Sequence, residues 1–90
     1  MIKKELVALR KQIDEVDSLI LELTNFRMYL ALNTVKYKGK VAAKKREKEI
    51  LKKFQREAKK LIHLDNNFTK KLFDILMEHS KKIQKESLEK

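Results

Sequence analysis

Residues 6–39 read LVALRKQIDEVDSLILELTNFRMYLALNTVKYKG, and their spacing decides the fold. A stripe of apolar side chains runs through Leu6, Leu9, Ile13, Val16, Ile20 and Leu23, in alternating steps of three and four. It continues through Leu30, Thr34 and Tyr37, with Arg27 filling the slot between Leu23 and Leu30. A seam held in register for nearly five heptads reads as one long helix. Gly39 follows it, the residue best suited to the left-handed turn that stops a helix. A helix from about Lys3 to Lys38 spans roughly 50 Å at 1.5 Å per residue. A compact chain of this size is only about 30 Å across. The helix is therefore expected to overhang its own chain, and its apolar stripe calls for a partner. The simplest partner is a second copy.

Beyond Gly39, Ala42-Ala43-Lys44-Lys45 are good helix formers, and a second helix is predicted through Ile50, Leu51, Phe54, Ala58 and Leu61. His63-Leu64-Asp65-Asn66-Asn67 breaks it, with Asp65 a natural N-cap for a third helix. That helix carries Phe68, Leu72, Ile75, Leu76 and Ile83, and is expected to fray after Ser87. The expected fold class is all-α, with one long and two shorter helices per chain and the long-helix seams paired in a homodimer. Residues 1–90 are expected to form a single domain.

Composition narrows the function. The chain has one Gly and no Pro, Cys or Trp, which argues against most β architectures and excludes a disulfide scaffold. Without cysteine there is neither a thiolate zinc site nor a cysteine nucleophile. No His/Asp/Glu cluster has metal-ligand spacing, and no Gly-rich loop could cradle a nucleotide phosphate. His63 and His79 are isolated and expected in solvent or in a capping role, whereas Met28 and Met77 are expected in packing. No apolar run is long enough for a membrane span, and the N-terminus lacks the pattern of a secretory signal. A soluble cytoplasmic protein is expected.

The formal charge is +10, and it is unevenly spread. Residues 36–60 hold twelve basic and three acidic side chains, while residues 1–35 are balanced at five of each. An anionic ligand or partner would be drawn to that middle segment, although a solvated lysine face accounts for the charge equally well. Four of the 23 basic residues are Arg: Arg10, Arg27, Arg46 and Arg56. Arg grips a carboxylate with a planar fork that Lys lacks. Arg27 occupies a core slot, where a cation is costly unless paired. Arg10 opens a polar stripe beside the seam, through Asp17, Thr24 and Ala31 to Lys38. Each could equally be a flanking or ion-paired charge of a coiled coil. On the third helix Ser80 and Gln84, four apart, extend the line of Phe73 and Leu76, as a polar pocket end or as a tail leaving the core.

One combination gathers these residues. Leu9-Arg10-Lys11-Gln12-Ile13-Asp14-Glu15-Val16-Asp17, then Arg27, Lys36-Tyr37-Lys38, Arg46-Glu47-Lys48-Glu49-Ile50-Leu51, Ser80 and Gln84 resemble, in order, the all-helical chorismate mutases. The resemblance implies two chains interlocked through their long helices, sharing two sites. It implies that Arg27, Lys38, Arg46, Glu47, Ser80 and Gln84 line a site in one chain and that Arg10 reaches in from the other. Arg10 and Arg27 would hold the side-chain carboxylate of chorismate. Arg46, with Ser80 nearby, would address the ring-side groups, and Glu47 would accept from the ring hydroxyl. Lys38 and Gln84 would donate to the ether oxygen. The implied reaction, chorismate to prephenate in phenylalanine and tyrosine biosynthesis, is a pericyclic rearrangement that needs no nucleophile, general base, metal or cofactor.

The chain departs from that family in its link between Lys38 and Arg46, which is several residues shorter and lacks the usual Pro. The position three before Arg46, often Asp in the family, is Ala43. Isochorismate pyruvate lyase, on the same scaffold with similar cations, is an alternative reading. So is a non-enzymatic basic helical dimer that binds nucleic acid. Against the latter, Phe26, Tyr29, Tyr37, Phe54, Phe68 and Phe73 sit mostly at packing positions and form no evident stacking platform.

Overall fold

The computed structural model describes residues 2–41 and 44–90, and three helices account for most of them. They are α1 (Ile2–Lys38), α2 (Lys44–Ala58) and α3 (Asn66–Glu89). Among the described residues there is no strand, and no helix is long and apolar enough to cross a membrane. By contact density the chain forms two compact units, one up to Leu30 and one comprising Ala31–Lys90.

The expected helix stop is present. Gly39 adopts φ +68°, and its N–H donates to the Val35 carbonyl at 2.7 Å, satisfying an otherwise orphaned acceptor. Lys36 and Lys38 in the last turn complement the negative end of the helix dipole. Within the first unit, the stripe is solvent-facing in the single chain: Leu9, Ile13, Val16, Ile20 and Leu23 are all more than half exposed. Phe26 and Tyr29, one turn apart, stack with ring centroids 6.2 Å apart. Both are exposed, as are Tyr37 and Phe68, so the expectation that the aromatics serve packing holds within the chain only for Phe54 and Phe73.

The second unit holds a small core. Val35, Phe73 and Met77 are buried, with Ile50, Leu51, Phe54, Leu76 and Ile83 half-buried around them. Phe54 meets Phe73 edge to face, 78° between planes and 6.0 Å between centroids, the arrangement that ring quadrupoles favour. Met28 is buried, like Met77, while His63 and His79 are exposed.

Two boundaries differ from the sequence reading. The second helix ends at Ala58, and Leu61 lies beyond it, half exposed. Lys60, Leu61 and Leu64 N–H groups bond back three residues, to Glu57, Ala58 and Leu61, which tightens the chain into successive turns where a helix would need four-residue bonds. Ala42-Ala43, expected to open this helix, and the Ala43 position of the family's acid lie outside the described residues. The third helix begins where expected. Asp65 is extended (φ −98°, ψ 170°) and its carboxylate accepts from the Phe68 N–H at 2.7 Å. The Thr69 hydroxyl adds a bond to the Asp65 carbonyl at 2.9 Å. α3 runs on to Glu89 instead of fraying after Ser87. Its buried side chains are Thr69, Phe73, Met77, Ser80 and Gln84, a stripe in steps of four, four, three and four. Phe68, Leu72 and Ile75, on the neighbouring stripe, remain exposed.

Candidate functional site

Polar side chains are rare in the interior, so each buried one is informative. In the second unit they are Thr69, which returns its hydroxyl to the Asp65 carbonyl, and the pair Ser80 and Gln84. Ser80 and Gln84 share a face as their spacing anticipated, but they continue the stripe of Phe73 and Met77 rather than that of Phe73 and Leu76, and are 6% and 3% exposed.

Gln84 has a defined orientation. Its Nε2 donates to the Ala31 carbonyl at 2.9 Å and to Thr34 Oγ1 at 3.3 Å, both on α1. Its Oε1 is buried and accepts no hydrogen bond among the described residues. An unmatched buried acceptor costs about 1–3 kcal/mol. Such a cost at the end of an otherwise satisfied side chain marks a place where a ligand donor would be accommodated.

Glu47 lies in the first turn of α2, where the helix dipole favours a carboxylate. It is half-buried, and Lys81, next to Ser80 on α3, reaches its Oε1 at 2.9 Å. This contact brings the start of α2 to the Ser80–Gln84 stretch. A carboxylate has acceptor capacity for more than one donor, so the Lys81 bond leaves room for a hydroxyl. Arg46 precedes Glu47 but turns to solvent; its nearest acidic partner is Glu49, at a loose 3.8 Å, and its side chain is 59% exposed. Lys38 stands exposed at the end of α1, one turn beyond Thr34. Arg10 and Arg27 belong to the first unit, Arg10 exposed and Arg27 half-buried in its heptad slot.

Of the seven expected residues, then, Ser80 and Gln84 lie buried on one stripe of α3 and Glu47 reaches that helix through Lys81, while Lys38 and Arg46 are exposed. Two participants were not anticipated. Lys81 carried no signal, because nothing in a lysine-rich helix distinguishes the lysine that meets Glu47. Thr34 did carry one: a hydroxyl interrupting an apolar stripe is the same kind of anomaly as Arg27. A separate concavity at the α2–α3 turn, lined by Gln55, Ala58, Lys59, Leu61, Ile62 and Leu64, involves other residues.

The assembled groups are an amide, a hydroxyl, a carboxylate and bordering cations. They can hold and polarise a small anion that also carries a hydroxyl. Two comparisons bear on that chemistry. The sequence model of the family chorismate mutase type II matches residues 9–85. A chorismate mutase from Methanocaldococcus jannaschii is 38% identical over 93 residues, an alignment that covers 99% of this chain and 92% of that protein. No solved structure gives a significant match.

Proposed function

This chain belongs to the type II chorismate mutase family, and on that premise we propose that it turns chorismate into prephenate at sites built jointly by two copies. The enzyme is an isomerase: the ether C–O bond of the substrate breaks as a new C–C bond forms in the same molecule. No proton or electron is exchanged with the protein. Catalysis must therefore come from holding a folded, reactive conformer and from stabilising the negative charge that grows on the ether oxygen. An acceleration of about a millionfold requires about 8 kcal/mol, within reach of a few preorganised charge-assisted contacts in a pocket closed to water.

In this reading Arg27, and Arg10 from the second copy, hold the side-chain carboxylate. Arg46 and Ser80 address the ring-side groups, Glu47 accepts from the ring hydroxyl, and Lys38 and Gln84 donate to the ether oxygen. The observation that carries it is that Ser80 and Gln84, 6% and 3% exposed, are polar groups buried on the stretch of α3 where Lys81 meets Glu47 of α2. The exposed stripe of α1 supports the dimer. Covering five half-exposed aliphatic side chains on each of two copies is worth on the order of 10 kcal/mol, comparable with the roughly 4–15 kcal/mol that association costs. The reaction then serves aromatic amino acid biosynthesis in the cytoplasm.

The test is direct. The purified protein is incubated with chorismate, and separately with isochorismate, and the products are separated. Prephenate from chorismate is expected. Pyruvate and salicylate from isochorismate, without turnover of chorismate, would replace the mutase reading by the lyase one. Turnover of neither would remove both.

A further inference from the structure

We propose that Lys81 is a positioning residue for the substrate, holding Glu47 so that its remaining acceptor capacity is aimed at the ring hydroxyl. The proposal rests on the reading of Glu47 as the acceptor from that hydroxyl. Among the described residues, the ion pairs Arg46–Glu49 and Lys70–Asp74 each lie within one helix, and both carboxylates are more than half exposed. Lys81–Glu47 differs on both counts. It joins α3 to α2 at 2.9 Å, and its carboxylate side chain is only 21% exposed. Lys81 also has an acid closer in sequence: Glu78 lies three residues back on α3, a spacing that sets two side chains next to each other. Its ammonium is nevertheless bonded to Glu47 across the helices.

That bond restricts a side chain which by itself would sample several rotamers. Lys81 ties Oε1 of Glu47 to the helix that carries Ser80 and Gln84, with Ser80 its immediate neighbour. A carboxylate offers about four acceptor sites on its two oxygens, and the ammonium takes one of them. A hydroxyl can therefore still be received, from a direction fixed relative to α3. The positive charge has a second effect. Chorismate carries two carboxylates, and a bare third one beside it would repel it; the ammonium 2.9 Å away offsets that repulsion. The ring hydroxyl is not at the bonds that break or form, so this contact serves substrate and transition state alike.

The test is a ratio. kcat/KM is measured for chorismate and for the analogue with hydrogen in place of the ring hydroxyl, whose rearrangement needs no hydroxyl. The analogue keeps both carboxylates, so a general loss of packing or of charge lowers both values alike. Loss of aim at the hydroxyl lowers only the first. Ordering one such side chain is worth about two- to tenfold. Lys81→Met should therefore reduce the preference for chorismate by about that factor, through KM and with kcat near the parent. Lys81→Gln should do the same, so that a folding defect in one leaves the other to decide; ion pairs this exposed on the lysine side add little to stability. Lys81→Arg, which keeps a cation, should restore most of the preference. If Glu47→Ala lowers the preference by about 10- to 100-fold, the worth of a hydrogen bond to a charged group, while Lys81→Met and Lys81→Gln keep the parental ratio, the proposal fails and the reading of Glu47 stands. If Glu47→Ala itself keeps the parental ratio, that reading fails and takes the proposal with it.

Discussion

Replacing Gln84 by Glu exchanges an amide that always donates for a carboxyl that donates only when protonated. At position 84 one carboxyl oxygen would occupy the place of Nε2, 2.9 Å from the Ala31 oxygen and 3.3 Å from Thr34 Oγ1. Ionised, it would face two acceptors and an ether oxygen that is itself becoming negative. The site is 3% exposed, so desolvation also disfavours the charged form and raises the carboxyl above its ordinary value of about 4.3. Lys38, one turn along α1 from Thr34, pulls the other way. Loss of one preorganised donor costs about 10²–10³ in rate, the equivalent of 2.7–4 kcal/mol. Gln84→Glu is therefore predicted to be at least about 100-fold slower than the parent at pH 7.5. Acidification should raise its activity about tenfold per pH unit until the carboxyl is protonated, because only the protonated fraction is competent. A residual deficit of about tenfold is expected, since a protonated carboxyl has one O–H to share between Ala31 and the substrate. Stability should follow the same sign. A carboxyl with a raised folded-state pKa contributes fully below its unfolded value and loses that contribution as pH rises through the folded one. The variant should thus gain thermal stability on acidification relative to the parent. The assay is the initial rate of chorismate loss from pH 4.5 to 8.5, with helical circular dichroism at each pH to confirm folding. A Glu variant as active as the parent at pH 7.5 would show that Gln84 is not at the ether oxygen.

Asp65→Ala removes the carboxylate that accepts from the Phe68 N–H, and should cost about 1 kcal/mol, or about 4–8 °C in Tm for a domain of this size; an unchanged melting curve would assign α3's start to packing alone. Ile13→Asp with Ile20→Asp places charges on the exposed α1 stripe and should turn a dimer into a monomer in sedimentation equilibrium, with loss of activity. A parent that sediments as a folded monomer at micromolar concentration would refute the paired-helix reading at once. If Arg10 acts across the dimer, inactive Arg10→Ala and Gln84→Ala proteins should complement when refolded together. Random pairing under two-fold symmetry restores about a quarter of the sites, whereas no recovery would place Arg10 in its own chain's site or outside any.

The sequence by itself determined the features that depend on neighbours within one turn. Gly39 ends α1 because it alone in the link tolerates φ +68°, and Asp65 starts α3 because its carboxylate reaches the N–H three residues on. The same is true of helix number, of the unbroken α1 stripe, and of the ordered string from Arg10 to Gln84 that resembles one family. Leu61 was misread because a tightening of the bonding from four residues to three leaves no mark in apolar spacing. Tertiary structure decided which stripe of α3 goes inside. Phe68, Leu72 and Ile75 are as apolar as Phe73 and Met77, yet the stripe that ends in Ser80 and Gln84 is the buried one, with Phe54 of α2 packed edge to face on Phe73. It also decided that Glu47 meets Lys81, and that the Gln84 amide rests on Ala31 and Thr34, some fifty residues earlier in the chain. A lysine or a threonine on a helix can donate or accept in many directions. Which partner it finds depends on the distance between helices that meet only once the core has formed.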